Sequence, residues 1–127
     1  MSKVYRVIET DKAPAAIGAY SQGAVVGGSY YFSGQIGMDP VSGKIEESFD
    51  AQLAQVLNNI DGVLASEGLS RDNVFKTTIF MKDLSDFSKV NEAYEGFFSK
   101  PFPARSCVEV SRLPKDTLVE IEVMAAK

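Results

Sequence analysis

An arginine and a glutamate in the carboxyl-terminal part of the chain have side chains that could together act on a small carboxylic acid. Residues 104–110 and 118–125 each fit the pattern of a strand, and if the two strands pair, Arg105 and Glu120 could approach one another. Arginine binds a carboxylate through two parallel N–H donors, and glutamate accepts a proton from water that attacks carbon. The alternative is a salt bridge or a solvated face, which is favoured for a lone Arg/Glu pair.

Asn91 and Cys107 are two further candidates. On a helix, Asn91 points with the apolar stripe, because it follows Leu84 by seven residues and Phe87 by four. A buried amide there requires partners, either a structural loop carbonyl or the polar groups of a site. Cys107 shares the face of Arg105, but nothing in the sequence supplies its base. We therefore expect a cysteine that packs beside the site and not a covalent nucleophile.

Two polar tripeptides, 20–22 (YSQ) and 33–35 (SGQ), contain side chains that can donate and accept hydrogen bonds. Tyr20 and Ser33 are candidate binding residues, although tyrosine and serine are too common for spacing alone to assign them. Gly34 permits close approach of the backbone to a ligand, and a β-bulge explains this glycine equally well.

The composition excludes several kinds of site. The chain contains no histidine, which excludes a Ser-His or Cys-His nucleophile pair, a histidine zinc site and an imidazole base. Its net charge of −4 argues against a nucleic-acid surface, because lysine and arginine supply much of that affinity. No apolar run approaches the ~20 residues that span a bilayer. A single cysteine cannot form an internal disulfide, so we expect a protein of the reducing cytoplasm.

The apolar patterns predict a single α+β domain over 1–127 with the element order βββαβαββ. Gly27 and Gly28 predict a hairpin turn, Ser48 the N-cap of the first helix and Gly68 its end. Predicted strands cover 4–8, 24–26, 30–32, 74–81, 105–110 and 118–125, and predicted helices cover 49–64 and about 84–98.

The expected sheet is mixed, because each helix can connect two parallel strands. Two helices cover only one face of such a sheet, yet alternate residues on both faces of 74–81 and 118–125 are apolar. The uncovered face therefore predicts a partner, and self-association is the simplest one.

Several segments, in this order along the chain, resemble the RidA family of enamine and imine deaminases, also called the YjgF family. The resemblance covers essentially the whole chain. Its segments are 13–22 (APAAIGAYSQ), 33–36 (SGQI), 76–80 (KTTIF), 90–94 (VNEAY), 103–110 (PARSCVEV), 113–116 (LPKD) and 120–122 (EIE).

The resemblance implies a chorismate-mutase-like fold, with both helices on one face of the sheet, assembled as a homotrimer with active sites between subunits. It further implies that Arg105 binds the substrate carboxylate and that Glu120 positions or activates water. Neither a metal nor an organic cofactor is expected, because an iminium carbon is already a strong electrophile. The residues implied to line the pocket are Tyr20, from across a subunit boundary, with Ser33, Asn91 and Cys107.

The implied reaction converts 2-aminoacrylate, 2-aminocrotonate and their imines into 2-oxo acids and ammonia. This would protect pyridoxal-phosphate enzymes, and it links the chain to isoleucine biosynthesis. Two alternatives stay open: a non-catalytic sensor of carboxylates such as 2-oxobutanoate, and a ribonuclease or translation inhibitor, against which the acidic charge weighs. One departure is Ala19, where the family usually has proline; it frees φ and could loosen the segment that carries Tyr20.

Overall fold

Six strands form one mixed sheet in the order β1-β2-β3-β6-β4-β5. The computed structural model describes residues 2–127, so Met1, the first residue of the predicted domain, lies outside the described part. The strands are β1 (Arg6–Ile8), β2 (Gly23–Val26), β3 (Ser29–Phe32), β4 (Val74–Met81), β5 (Ala104–Glu109) and β6 (Val119–Ala126). The helices are α1 (Phe49–Ser66) and α2 (Phe87–Phe97). The predicted α+β class and the order βββαβαββ are therefore confirmed.

Local signals placed the first hairpin and the first helix correctly. Gly27, at the turn between β2 and β3, has φ of 57°, which glycine adopts without strain. The Ser48 side chain accepts a hydrogen bond from the Ala51 N–H and caps α1, and Gly68, with φ of 69°, follows the helix end.

The second helix begins later than its apolar pattern predicted. Asp83 accepts a hydrogen bond from the Ser85 N–H, and the Leu84 N–H donates to the Glu109 carboxylate. These bonds hold Leu84–Asp86 in a 3₁₀ turn, and α2 starts at Phe87. Leu84 is 41% exposed, so the prediction that it lies on the inner side of the helix is wrong.

The sheet places β4 between β5 and β6, the two strands that carry Arg105 and Glu120. β4 is parallel to β5, to which α2 connects it, and antiparallel to β6. β5 is therefore an edge strand and makes no ladder with β6. The condition under which Arg105 could approach Glu120, a pairing of β5 with β6, is therefore not met, because β5 lies on the outer side of β4.

The two faces of the sheet differ in composition. On the face that the helices cover, Ile79, Ile121 and Val123 are at most 1% exposed and belong to one apolar core. The opposite face, here called the open face, carries the half-buried Glu120 and Glu122 among apolar side chains. Among residues 2–127, no helix has the length and apolar character needed to cross a membrane.

Candidate active site

The Arg105 side chain is held by three residues of α2. Its Nη1 donates a hydrogen bond to Asn91 Oδ1 at 3.0 Å. Its guanidinium carbon lies 5.0 Å from the centre of the Phe87 ring and 5.5 Å from that of Tyr94. Helical spacing puts these three α2 residues on one side of the helix, so an amide and two aromatic faces orient the cation. Asn91 thus meets the predicted need for a partner through a side chain and not a loop carbonyl.

The groups around the guanidinium stay uncharged at neutral pH. Burial raises the pKa of Tyr94 to about 12, and its hydroxyl lies 3.1 Å from Thr77 Oγ1. Burial also raises the pKa of the half-buried Cys107 thiol, and the positive charge of nearby Arg105 opposes this rise only in part. The Cys107 Sγ lies 3.5 Å from Met81 Sδ. A thiol in this state packs well and is a weak nucleophile.

A cavity of about 360 Å³ opens beside Arg105. Asn91, Tyr94 and Phe102 form part of its wall. Arg105 itself is exposed and, within residues 2–127, has no carboxylate at salt-bridge distance. The guanidinium therefore keeps N–H donors free for an anionic ligand. We call Arg105, Asn91, Cys107 and this cavity the arginine half-site.

Glu120 lies in a second cavity of about 600 Å³. The cavity is also lined by Tyr20, Ser33, Gly34 and Glu122. Burial raises the pKa of the Glu120 carboxyl, and the charge of Glu122 raises it further. A carboxylate of this kind is a better proton acceptor than a fully solvated one. We call this cavity and its residues the glutamate half-site.

Gly34 gives the Glu120 carboxylate the room it occupies. A Cβ on Gly34 would overlap the carboxylate of Glu120. The predicted close approach at Gly34 therefore involves a side chain of this protein, and any larger residue at position 34 would displace Glu120.

Ser33 bonds to the segment that carries Tyr20, and Gln22 anchors that segment. The Ser33 hydroxyl donates to the Ser21 carbonyl at 2.6 Å, and the Ser33 N–H donates to the Gln22 carbonyl at 2.9 Å. The Gln22 side chain is 4% exposed and bonds to both backbone groups of Thr10. Its amide also donates to the Pro14 carbonyl at 2.8 Å. These bonds hold the chain on both sides of Tyr20, whose own side chain is 55% exposed.

Two amides on the buried side of α1 support the glutamate half-site, and the sequence reasoning missed both. Gln52 accepts a hydrogen bond from the Leu118 N–H at 2.8 Å and donates to the Glu46 carbonyl at 3.0 Å. Asn59 donates to the carbonyls of Ile36 and Met38 at 3.2 and 2.9 Å. The available signal was polar residues at 52 and 59 on the predicted apolar stripe, because a buried amide requires partners.

The two half-sites lie on opposite faces of the sheet. Arg105 is opposite Thr77 in the ladder, and Glu120 is opposite Phe80. Thr77 and Phe80 are three residues apart on β4, so their side chains point to opposite faces. The expectation that Arg105 and Glu120 approach one another is therefore wrong within one chain. Asn91 and Cys107 lie with Arg105, and Tyr20, Ser33 and Gly34 lie with Glu120.

Neither half-site contains a recognisable metal site. Among residues 2–127, no three cysteine, aspartate or glutamate side chains come together in a way that could hold a metal ion. The chemistry available from the side chains is anion binding by Arg105 and proton acceptance by Glu120.

Comparisons with known proteins show which family and which solved structures the chain resembles. The model of the family described as Endoribonuclease L-PSP matches residues 10–127. The 2-iminobutanoate/2-iminopropanoate deaminase of Salmonella typhimurium is 48% identical over 125 residues, covering 96% of this chain and 98% of that protein. The crystal structure of RidA from the Antarctic bacterium Psychrobacter sp. is 44% identical with a TM-score of 0.93, covering 96% of this chain and 99% of that one.

A third relative was solved with a ligand. The crystal structure of TdcF of Escherichia coli with bound serine is 42% identical, with a TM-score of 0.91, covering 96% of this chain and 98% of that one. The family match over residues 10–127 includes the residues of both half-sites.

Proposed function

Because this chain belongs to the endoribonuclease L-PSP family, which is the RidA/YjgF family, we propose that it hydrolyses 2-imino and enamine acids to 2-oxo acids and ammonia. The observation that carries this proposal is the Arg105 guanidinium, which Asn91 and two aromatic rings orient and which keeps N–H donors free for an anion. Deaminases of this specificity are 48% identical over nearly the full chain, which supports the same reaction.

The reaction needs an anion clamp and a proton acceptor. Arg105 binds the carboxylate of a substrate such as 2-iminobutanoate, and an enamine such as 2-aminocrotonate first takes a proton on carbon to give the same iminium. Water adds to C2 and gives its proton to Glu120. The resulting carbinolamine takes that proton on nitrogen and releases ammonia, while its hydroxyl gives a proton to Glu120 and becomes the carbonyl of the 2-oxo acid. Water is consumed, and no oxidant or reductant is required.

The complete site requires two copies of the chain. A 2-imino acid is too small to touch both faces of one sheet, where Arg105 and Glu120 lie. We therefore propose that the arginine half-site of one subunit meets the glutamate half-site of its neighbour, with Tyr20 and Ser33 contributed alongside Glu120. A homotrimer with one such site at each boundary satisfies this requirement, and it covers the open face of the sheet.

A direct test follows 2-iminobutanoate generated by threonine dehydratase. The wild-type protein should speed its conversion to 2-oxobutanoate and ammonia. Arg105→Ala should lower kcat/KM by about 10²–10³, because the carboxylate loses a charge-assisted pair of hydrogen bonds. Arg6→Ala is the matched control: Arg6 pairs with Glu67 beside β1, at the other edge of the sheet. Equal decay rates with wild type and Arg105→Ala would refute the proposal.

The two other functions considered predict different results. A sensor of small carboxylates uses Arg105 but needs no proton acceptor, so Glu120→Gln would leave it intact. In the proposed enzyme, Glu120→Gln keeps 2-oxobutanoate binding and abolishes turnover. The chain has no histidine and a net charge of −4, and both facts weigh against RNA cleavage, because lysine and arginine supply much of the affinity for nucleic acid. No observation in the described residues favours this function.

The setting of the reaction follows from the same proposal. We place it in the cytoplasm, beside the pyridoxal-phosphate enzymes that release 2-aminoacrylate and 2-aminocrotonate and next to isoleucine biosynthesis. The serine bound to the relative TdcF supports a site for small amino-acid-like molecules that carry a carboxylate.

A further inference from the structure

The turn between β5 and β6 holds two consecutive non-glycine residues in the left-handed region of the backbone. Lys115 has φ of 55° and Asp116 has φ of 56°. Residues with a Cβ are strained in this region, and such strain persists only where the surrounding structure holds it. Strain of this kind concentrates at functional sites.

Hydrogen bonds on both sides hold the strained turn. The Asp116 N–H donates to the Leu113 carbonyl at 3.0 Å, and the buried Thr117 hydroxyl donates to the Pro114 carbonyl at 2.9 Å. Arg112 donates two hydrogen bonds to the Asp116 carboxylate, at 2.7 and 3.2 Å. The central lysine takes part in none of these side-chain bonds.

Lys115 lines the cavity of the glutamate half-site. Within residues 2–127 it is the only basic residue of that cavity, which also holds Glu120 and Glu122. It has no carboxylate at salt-bridge distance in the described chain, although Asp116 is its neighbour. The protein as a whole has a net charge of −4. An anionic substrate that enters this cavity therefore meets two carboxylates and one unpaired ammonium group.

We propose that Lys115 is a further substrate-binding residue, whose ammonium group draws the anionic 2-imino acid into the glutamate half-site and offsets the repulsion of Glu120 and Glu122. This inference rests on the proposed function. The left-handed turn is the device that presents Lys115 to the cavity, while Arg105 remains the group that binds the carboxylate directly. Lys115 acts through space on an anion and therefore affects binding more than the chemical step.

The main test compares Lys115→Met with wild type in two measurements. Methionine keeps an unbranched side chain and the same backbone strain, so the charge is what changes. We expect the Kd for 2-oxobutanoate and the KM for 2-iminobutanoate to rise by about three- to fivefold, with kcat unchanged. The difference should shrink at high salt, because counterions screen an exposed charge. Lys115→Arg should bind as wild type does.

Two more variants separate binding from structure. Lys127→Met removes a lysine beyond the far end of β6 and should change neither constant. Lys115→Gly relieves the strain at φ of 55°, so it should raise Tm while weakening 2-oxobutanoate binding as much as Lys115→Met does. A turn that served the fold alone would be stabilised by glycine without any loss of affinity.

The outcomes distinguish this inference from the proposed function. Unchanged Kd and KM in Lys115→Met, in a protein with full deaminase activity, overturn the role of Lys115 alone. A wild type without deaminase activity, whose affinity for 2-oxobutanoate still depends on Lys115, overturns the deaminase proposal and supports the anion-attracting role.

Discussion

At the scale of single residues, Glu120 is the group whose environment bears most directly on the reaction. Burial raises the pKa of its carboxyl, and the like charge of Glu122 raises it again. The Glu120 carboxylate fits here because Gly34 has no side chain, and a Cβ at position 34 would overlap it. Glu120 must be ionised to accept a proton, so activity should rise with pH through its pKa, above the ordinary range for glutamate.

The charge at position 122 should set the pH of that rise. Glu122→Gln removes one of the two causes that raise the pKa of Glu120, so the acid limb of kcat should move to lower pH. A profile of kcat against pH checks this, with the exposed Glu47→Gln as a control whose limb stays in place. A limb that did not move, or that moved to higher pH, would mean that Glu120 is not the titrating group.

At the scale of secondary-structure elements, α1 supports the glutamate half-site through side chains. Gln52 bonds to the Leu118 N–H, immediately before β6, and to the Glu46 carbonyl in the loop after β3. Asn59 holds the carbonyls of Ile36 and Met38, two residues that line the same cavity. The helix thus positions both the strand that carries Glu120 and the wall opposite it.

Replacing Gln52 should cost both stability and turnover. Gln52→Met leaves the Leu118 N–H and the Glu46 carbonyl without their partner, so we expect a loss of about 2–4 kcal/mol in the free energy of unfolding. Chemical denaturation measures that loss, and kcat should fall with KM nearly unchanged because Glu120 shifts. Gln55→Met, which loses one bond to Asn59, is the control and should cost below about 1 kcal/mol. Equal losses for both variants would contradict this role of Gln52.

At the scale of the whole molecule, the open face of the sheet is incomplete on its own. Four apolar side chains on it are between 44% and 49% exposed, although β2 and β3 bury their other face. These exposed side chains are Val7, Val26, Tyr31 and Val108. In the proposed assembly, further copies of the chain would cover them, which removes apolar surface from water and joins the two half-sites.

Mixing two inactive variants should restore activity if the site lies between subunits. Arg105→Ala and Glu120→Gln are each expected to be inactive alone. Unfolding and refolding them together at equal amounts should recover about one quarter of wild-type activity, because some boundaries then combine an intact Arg105 with an intact Glu120. Each variant refolded alone is the control. No recovery in assemblies of mixed composition would contradict a site that combines Arg105 of one subunit with Glu120 of another.

The sequence by itself determined the elements and the chemistry of the candidate residues. Strand and helix periods, the Ser48 cap and the Gly27 turn are local signals, and they predicted every strand and helix with shifts of a few residues at the ends. The absence of histidine excluded imidazole chemistry, and the residue types of Arg105 and Glu120 made an anion clamp and a carboxylate base available. These inferences needed no knowledge of which strands pair.

Only the tertiary structure decided which of these residues lie together. Strand order is a long-range property, and placing β4 between β5 and β6 moved Arg105 and Glu120 to opposite faces of the sheet. The partners of Gln52 are also distant in sequence or in a loop, namely Leu118 and the Glu46 carbonyl. The start of α2 depends on a distant residue as well, because Glu109 accepts the Leu84 N–H and the helix begins only at Phe87. Alternation along one strand tells which residues share a face, but only the pairing of strands tells which of those faces meet.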